Sequence, residues 1–386
     1  MSEERLVPKL RFSGFEDNWY ESKFEDIYDI KNGLNKGKEY FGKGIQILNY
    51  MDVNKYEFNT EKTIEGLVDL SDEEIERYSV KPNDLFFTRT SETSDEIGLT
   101  SAYVGNPVKC VFSGFLLRAR PKIDLNSLFF AYYLRTPKQR NNIIKFSSIT
   151  TRALISGGNL SKMKINVPSI EEQNKIGNLF VILDKKVKLL EKKFQEYKDF
   201  KKYLMQQIFA QKLRFDNEIV KLKDISKINK GKQLNKDAMI EDGEYYVLNG
   251  GQEPSGYTNE WNTPENTITI SEGGNSCGFV NFNEEKFWSG GHCYFLSDLN
   301  NKIDTYYLYS YLKFKEEHIM RLRVGSGLPN IQKGDIENFK VQLVSNEDQN
   351  KISNLLLSVD KKIDSIKSQK ENFENFKNGL LQQMFV

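Results

Sequence analysis

Gln173-Asn174-Lys175-Ile176 is met again as Gln349-Asn350-Lys351-Ile352, and the stretch from Glu172 to Phe209 returns without a gap as Asp348 to Phe385. Asp184-Lys185-Lys186 matches Asp360-Lys361-Lys362, Phe200-Lys201 matches Phe376-Lys377, and Gln206-Gln207 matches Gln382-Gln383. Of the 38 aligned positions, 15 are identical at a constant displacement of 176 residues. A duplication of this length implies two equivalent structural units related by an approximate two-fold. That shape suits a symmetric object such as a duplex, or two copies of one partner.

The repeated stretch carries the helical period. Between Ile170 and Phe209 there is no proline, and apolar side chains fall at Ile176, Leu179, Leu183, Val187, Leu190, Phe194, Tyr197, Phe200, Leu204 and Ile208. Steps of three and four residues define one helix face, close to a heptad with a stutter near Val187. The second copy keeps the stripe with Ile352, Leu355, Val359, Ile363, Ile366, Phe373, Phe376, Leu380 and Met384. A helix of forty residues is roughly 60 Å long, more than a small domain needs. Its stripe requires a second long helix, and the other copy is the cheapest one. The two-fold makes that pair antiparallel, which reads as a spacer rather than as two ordinary core helices.

Outside the helices the repeat continues in the same order. Lys9-Leu10-Arg11-Phe12 returns as Lys212-Leu213-Arg214-Phe215, and Asp26-Ile27 with Ile30 and Gly33 as Asp224-Ile225 with Ile228 and Gly231. Ile47-Leu48-Asn49 is echoed by Val247-Leu248-Asn249, Phe112-Ser113-Gly114 by Trp288-Ser289-Gly290, and Tyr133-Leu134 by Tyr311-Leu312. The displacement shrinks after Asn49, as if the first copy carried an insertion, for which the acidic stretch Asp52 to Glu76 is the candidate. Short alternating runs such as Asp84-Leu85-Phe86-Phe87-Thr88 and Thr267-Ile268-Thr269-Ile270 lie between glycine turns. One helix is expected in each globule, near Leu125–Ile144 and Asp304–Leu322. The expected class is α+β, with two mixed α/β domains separated by a pair of long antiparallel coiled-coil helices. The boundaries are a segment 1–19, a first domain 20–168, a helix 169–212, a second domain 213–345 and a helix 346–386.

Composition excludes several classes. The chain has 386 residues, 55 basic against 54 acidic side chains, and no apolar run long enough for a membrane span. Met1-Ser2-Glu3-Glu4-Arg5 is polar rather than signal-like, and Cys110, Cys277 and Cys293 offer no disulfide framework. A cytoplasmic protein without a membrane partner is therefore expected. The balanced charge argues against a simple basic DNA binder, but the basic residues cluster. Arg135–Arg152 and Lys109–Lys122 hold no acid, Lys221–Lys236 sets six lysines against Asp224, and acids gather in Asp52–Glu76. Any one cluster reads as a solvated face; their recurrence at matching repeat positions reads as a phosphate-tracking surface. No Asn/Asp-Pro-Pro-Tyr methylase loop and no Gly-Lys-Ser/Thr phosphate loop occurs. Cys277, His292 and Cys293 lack metal-ligand spacing. The chain reads as one without chemistry of its own.

Two motifs then become specific. Pro8-Lys9-Leu10-Arg11-Phe12-x-Gly14-Phe15 followed by Trp19, and Val167-Pro168-Ser169-Ile170-Glu171-Glu172-Gln173-x-Lys175-Ile176 leading into a long helix, resemble the DNA-specificity subunit of Type I restriction–modification systems. In the second copy the motif is loosened to Val344-Ser345-Asn346-Glu347-Asp348-Gln349. The resemblance covers essentially the whole chain. It implies two target-recognition domains, each reading one half of a bipartite double-stranded DNA sequence. It also implies two modification (methyltransferase) subunits bringing S-adenosylmethionine, and restriction (translocase/endonuclease) subunits bringing ATP and Mg, with no cofactor on this chain.

Base edges are read by amides and guanidiniums, whereas lysines and hydroxyls hold phosphates. In the first domain the candidates for DNA contact are Lys31, Lys36, Lys38, Asn49, Arg89, Thr90, Ser91, Ser148, Thr150, Thr151 and Arg152. In the second they are Lys230, Lys232, Gln233, Asn249, Gln252, Asn275, Ser276, Arg321, Arg323, Ser326 and Asn330. Each is equally a turn-forming polar residue. The helix ends supply the candidates for partner docking: Gln173, Lys175, Phe200, Gln206 and Gln207, with their copies Gln349, Lys351, Phe376, Gln382 and Gln383. The alternative is a non-catalytic interaction scaffold, two ligand-binding modules on a coiled-coil strut. A self-sufficient restriction enzyme is disfavoured by the missing methylase loop.

Overall fold

The computed structural model describes residues 6–149, 152–210, 212, 213, 215–325, 327 and 329–386. Thr150, Thr151 and Ser326 lie outside the described residues. The chain forms two compact units, residues 1–190 with 369–386, and residues 191–368. Each unit therefore owns one globule, the start of one long helix and the end of the other.

In the first unit the main sheet runs Tyr28–Asn32, Leu116–Pro121, Leu85–Thr88, Thr100–Tyr103 and Phe58–Asn59. All pairs are antiparallel except the last. In the second unit the corresponding sheet runs Lys227–Lys230, Cys293–Ser297, Thr267–Ser271 and Val280–Asn283, all antiparallel. The runs Leu85–Thr88 and Thr267–Ser271 are buried along their length, because each is central and covered on both faces.

A smaller sheet recurs beside it. Phe41–Leu48 runs parallel to Cys110–Phe112, as Tyr245–Leu248 runs parallel to Trp288–Ser289. A ribbon closes each globule at its root, pairing Tyr20–Lys23 with Lys164–Val167 and Asn217–Lys221 with Lys340–Val344. The recurring glycines follow from this packing. A Cβ on Gly33 would lie 2.0 Å from the Ser113 carbonyl oxygen, and one on Gly231 would lie 2.3 Å from that of Gly290.

The insertion sits where the displacement shifts. Between the ends of the equivalent strands at Leu48 and Leu248 and the next core strands, the first unit adds the helices Tyr50–Lys55 and Asp72–Arg77. Asp72–Arg77 starts at Ser71 with a reciprocal bond to Glu74, the cap expected of Ser-x-x-Glu. The helix expected over 125–144 is broken into Ser127–Arg135 and Pro137–Lys145. Pro137 forces Thr136 into extended backbone and then starts the next helix. The second copy breaks at Lys315 instead, between Thr305–Phe314 and Glu316–Met320.

The long helices are continuous, Ile170–Phe209 and Asn346–Gln383. In the first unit Phe180 stacks on Phe385 at 5.6 Å, Asp184 meets Lys377, and Lys186 lies over Phe373. Advancing along one helix retreats along the other, so the segments are antiparallel. In the second unit Lys201 meets Asp360, and Met205, Ile208 and Phe209 share a core with Ile352 and Leu356. The expected stripe is buried only in part: Leu183, Leu190, Val359 and Ile366 are buried, whereas Phe200, Phe376 and Leu355 are exposed by 46%, 55% and 43%. Two helices cannot enclose all of a stripe that broad. Among the described residues no helix is long and apolar enough to cross a membrane.

Candidate nucleic-acid interface

The identities between the two helix copies divide by burial. Gln173 Nε2 donates to the Pro168 carbonyl, and its Oε1 accepts from the Asn126 amide at 2.8 Å. Gln349 repeats both bonds, donating to the Val344 carbonyl and accepting from the Asp304 amide at 2.9 Å. Asn126 and Asp304 in turn cap the helices that pack on the sheets. Asp184 accepts from Tyr132 and Lys377, and Asp360 accepts from Tyr306 and Lys201. These two repeated positions pin each globule to the helices. The docking assignment of Gln173 and Gln349 is therefore corrected: both are buried, and their amides are spent on backbone groups.

The other docking candidates lie at the surface. Lys175 is exposed with its Nζ 4.9 Å from the Phe15 ring centre, and Lys351 pairs with Glu347. Gln206, Gln382 and Gln383 are exposed, Gln207 is half-buried, and Phe200 and Phe376 present bare rings. Exposed identical residues contribute nothing to either core, so packing alone does not account for them.

Opposite the ribbon that roots it, the first domain gathers several of the DNA-contact candidates. Ser148–Ile149 and Ala153–Leu154 form a hairpin whose second strand pairs with Thr90–Ser91. Thr90, Ser91 and Arg152 line a cleft of about 560 Å³ with Tyr50, Glu92, Thr93, Glu96 and Phe115. Glu96 Oε2 accepts from Tyr50 Oη at 2.9 Å and Ser91 Oγ at 3.3 Å, while Phe115 is 60% exposed. Partial burial raises the Tyr50 phenol above its ordinary value. Arg89 spans to the Gly114 carbonyl, and its Nε is buried without an acceptor. Asn49 is occupied as the cap of Tyr50–Lys55, bonded reciprocally with Asp52.

The remaining cationic candidates of this domain lie elsewhere. Lys31 Nζ donates to the Arg77 carbonyl, Lys36 pairs with Glu74 at 2.7 Å, and exposed Lys38 opens the single turn Lys38–Tyr40. The phosphate assignment of Lys31 and Lys36 is corrected, since the inserted helix Asp72–Arg77 occupies both. Burial, followed by the charge of Arg118, lowers the Lys31 ammonium from its ordinary value.

The second domain builds the matching face from different residues. Asn330 bridges to both Gly273 and Val324, and Asn275 and Ser276 lie on the single turn Gly274–Ser276. The Asn330 Oδ1 is buried without a donor. Asn249 Oδ1 accepts from the His292 amide at 3.2 Å. Glu272 Oε1 accepts from Lys230 Nζ at 2.6 Å and Tyr294 Oη at 3.0 Å, and its Oε2 lies 3.5 Å from His292 Nδ1. Burial, then the bond to Glu272, pushes the Tyr294 phenol up to about 12. Lys232, Gln233, Gln252, Arg321 and Arg323 are exposed on loops.

Sequence reasoning missed Tyr50, Glu96 and Phe115 in the first domain, and Glu272 and His292 in the second. The available signal was position: Glu272 directly precedes the Gly273-Gly274 turn, at the repeat equivalent of Arg89, whose backbone amide and carbonyl make the same bonds across the sheet. Among the described residues no group of three His, Cys, Asp or Glu side chains could hold a metal ion.

This architecture, two copies of one mixed domain on shared antiparallel helices, has relatives. The family described as "Type I restriction modification DNA specificity domain" matches residues 16–198 and 215–375. The chain belongs to that family, the non-catalytic specificity subunits of type I restriction–modification complexes. A protein of Methanocaldococcus jannaschii named as the MjaX specificity subunit of a type I restriction enzyme is 24% identical over 98% of this chain and 95% of its own length. A protein of Mycoplasma pneumoniae named as a type I specificity subunit is 35% identical over 38% of this chain, and the match spans only 39% of that relative. Among solved structures, a type I S subunit from M. genitalium superposes with a TM-score of 0.69 at 19% identity, covering 98% of this chain and 99% of that one. The HsdS subunit from Thermoanaerobacter tengcongensis gives 0.50 at 14% identity, covering 100% and 98%. At those identities the likeness is one of fold.

Proposed function

We propose that this chain reads a bipartite double-stranded DNA sequence, one half per globule, and presents it to two adenine-methylating subunits docked on the exposed helix surface. One observation carries the reading: the two globules keep the same frame and put different polar side chains on the same loop face. A shared frame with two different surfaces is what recognition of two unlike half-sites requires. Side chains that fix register on phosphates lie beside those that touch base edges, and Arg152, Lys230 and Arg323 border the two faces. The repeated, exposed Phe200 and Phe376 with their neighbouring glutamines supply two equivalent docking surfaces. S-adenosylmethionine, ATP and Mg ions belong on the partner subunits, and a restriction subunit completes the complex in the cytoplasm.

Methylation mapping of the host genome with and without this gene tests the reading. Loss of one bipartite adenine-methylated motif is expected; an unchanged methylome contradicts it. Mass measurement of the assembled methylase is expected to give two catalytic chains per copy of this protein. The scaffold alternative separates on salt, because a phosphate-contacting complex loses duplex affinity steeply as salt rises and a lectin-like or peptide-binding strut does not.

A further inference from the structure

In the second domain a single buried carboxylate organises the loop face. Glu272 is 5% exposed, although it directly follows the central strand Thr267–Ser271 at the loop face. Its side chain takes Lys230 from one edge strand and Tyr294 from the adjacent strand, with His292 on the turn before it. Its backbone amide donates to the His292 carbonyl, and its own carbonyl accepts from the Ile331 amide beside Asn330. Gly250 packs from beneath: at φ +81° a Cβ there would lie 2.5 Å from the His292 carbonyl oxygen. Lys230 and His292 nonetheless leave half or more of their side chains to solvent, 50% and 65%.

A face built only to attract phosphates gains nothing from a carboxylate among its cations, since that charge opposes the counterion-release gain. A face built to read bases gains geometry: a donor held at one point discriminates between acceptor patterns, whereas a free lysine does not. Glu272 cannot accept from a base itself, being covered and already bonded.

From this we infer that Glu272 is a positioning residue that clamps Lys230 and His292 as base-reading donors, and that Lys230 reads a guanine in the half-site of domain 213–345. The inference rests on the proposed reading of DNA. Guanine is the base whose major-groove edge offers two acceptors, O6 and N7, to a lysine. The first domain lacks the clamp. Its carboxylate, Glu96, comes from the turn Ser94–Glu96 and holds the hydroxyls of Tyr50 and Ser91.

The test uses the full chain assembled with its modification subunits, and duplexes carrying each single-base change in both halves of the mapped motif. Wild type, Lys230→Met and Glu272→Gln are compared by competition binding across a salt series, with melting curves confirming that each variant folds. Both variants are expected to lose about tenfold or more of the discrimination at the same G·C pair in the second half-site. Discrimination in the first half-site is expected to stay within about twofold. If Lys230→Met instead weakens all sequences equally and lowers the salt slope by about one, Lys230 is a phosphate contact and the inference fails. A loss confined to an A·T pair, or Glu272→Gln behaving as wild type, also overturns it. A wild-type complex with no sequence preference removes the reading on which it rests, and that outcome is separate from the others.

Discussion

In the first domain the carboxylate at the loop face, Glu96, is held by the hydroxyls of Tyr50 and Ser91; in the second, Glu272 is held by Lys230 and Tyr294 with His292 alongside. Beneath these faces the four shared strands of the main sheet, the root ribbon, the close-packed Gly33 and Gly231 and the helix pins recur in both copies. The comparison separates two kinds of residue. Those that attach a globule to the helices are kept in both copies, because each copy solves the same packing problem. Those on the loop face have no packing problem in common and have drifted apart. The same logic accounts for the acidic insertion of the first copy, which hangs from the frame without disturbing it.

The pins are where this comparison can be broken most severely. Asp184 and Lys377 are buried to 10% and 15% side-chain exposure, so Asp184→Ala leaves the ammonium with only Glu57 at 3.6 Å and strands the Tyr132 hydroxyl. A loss of about 3–5 kcal/mol is expected, centred on the first unit. Its copy, Asp360, is 25% exposed opposite Lys201 at 20%, so Asp360→Ala is expected to cost about 1–3 kcal/mol in the second unit. Denaturant melts followed by hydrogen exchange in each unit check the order; a larger loss for Asp360 contradicts it.

Gln173→Leu and Gln349→Leu come next. Each strands the same backbone carbonyl and amide, so equal losses of about 1–3 kcal/mol are expected in the two copies. Affinity for a modification subunit is expected to hold in the folded fraction. Unchanged stability with lost docking would restore the role first read for them from the sequence.

A milder effect appears at alkaline pH. Burial pushes Tyr103 and Tyr133 of the first domain, and Tyr246, Tyr294 and Tyr309 of the second, up to about 12 from an ordinary 10.0. Between those values the unfolded chain has released phenolic protons that the folded chain keeps, so stability falls as pH rises through the window. Both domains are expected to weaken together, read as tyrosinate absorbance appearing with unfolding. Full tyrosinate signal at about pH 11 with intact folding contradicts this.

The helix pair, the helix length, the repeat order and the insertion were all legible in the sequence. Each is recorded in register, and register survives divergence. Strand pairing was not legible, because the parallel match of Phe41–Leu48 with Cys110–Phe112 spans a distance no local pattern encodes. Nor was the inward turn of Gln173. An identity between copies marks shared constraint without saying whether that constraint is a pin or a docking surface, and only burial separates the two. Glu272 was not legible as part of the face, because the residue types that contact DNA are cations, amides and hydroxyls. The carboxylate that orders them carries the opposite sign.

The smallest disturbance is to the ruler between the domains. Four residues inserted near Val187, matched by four near Ile363, lengthen the helices by roughly 6 Å, nearly two base-pair rises. Both half-sites are expected to persist while the unread spacer grows by one or two base pairs. An active variant with the original spacer would mean that the helices do not set it.

Exchange of the loop-bearing domain 20–168 for that of a relative with a different target, leaving 213–345 and both helices untouched, tests the account most directly. Methylation mapping of the chimera is predicted to show one new half-site joined to one unchanged half-site at the original spacing. Alteration of both half-sites would contradict the claim that two independent readers share one frame.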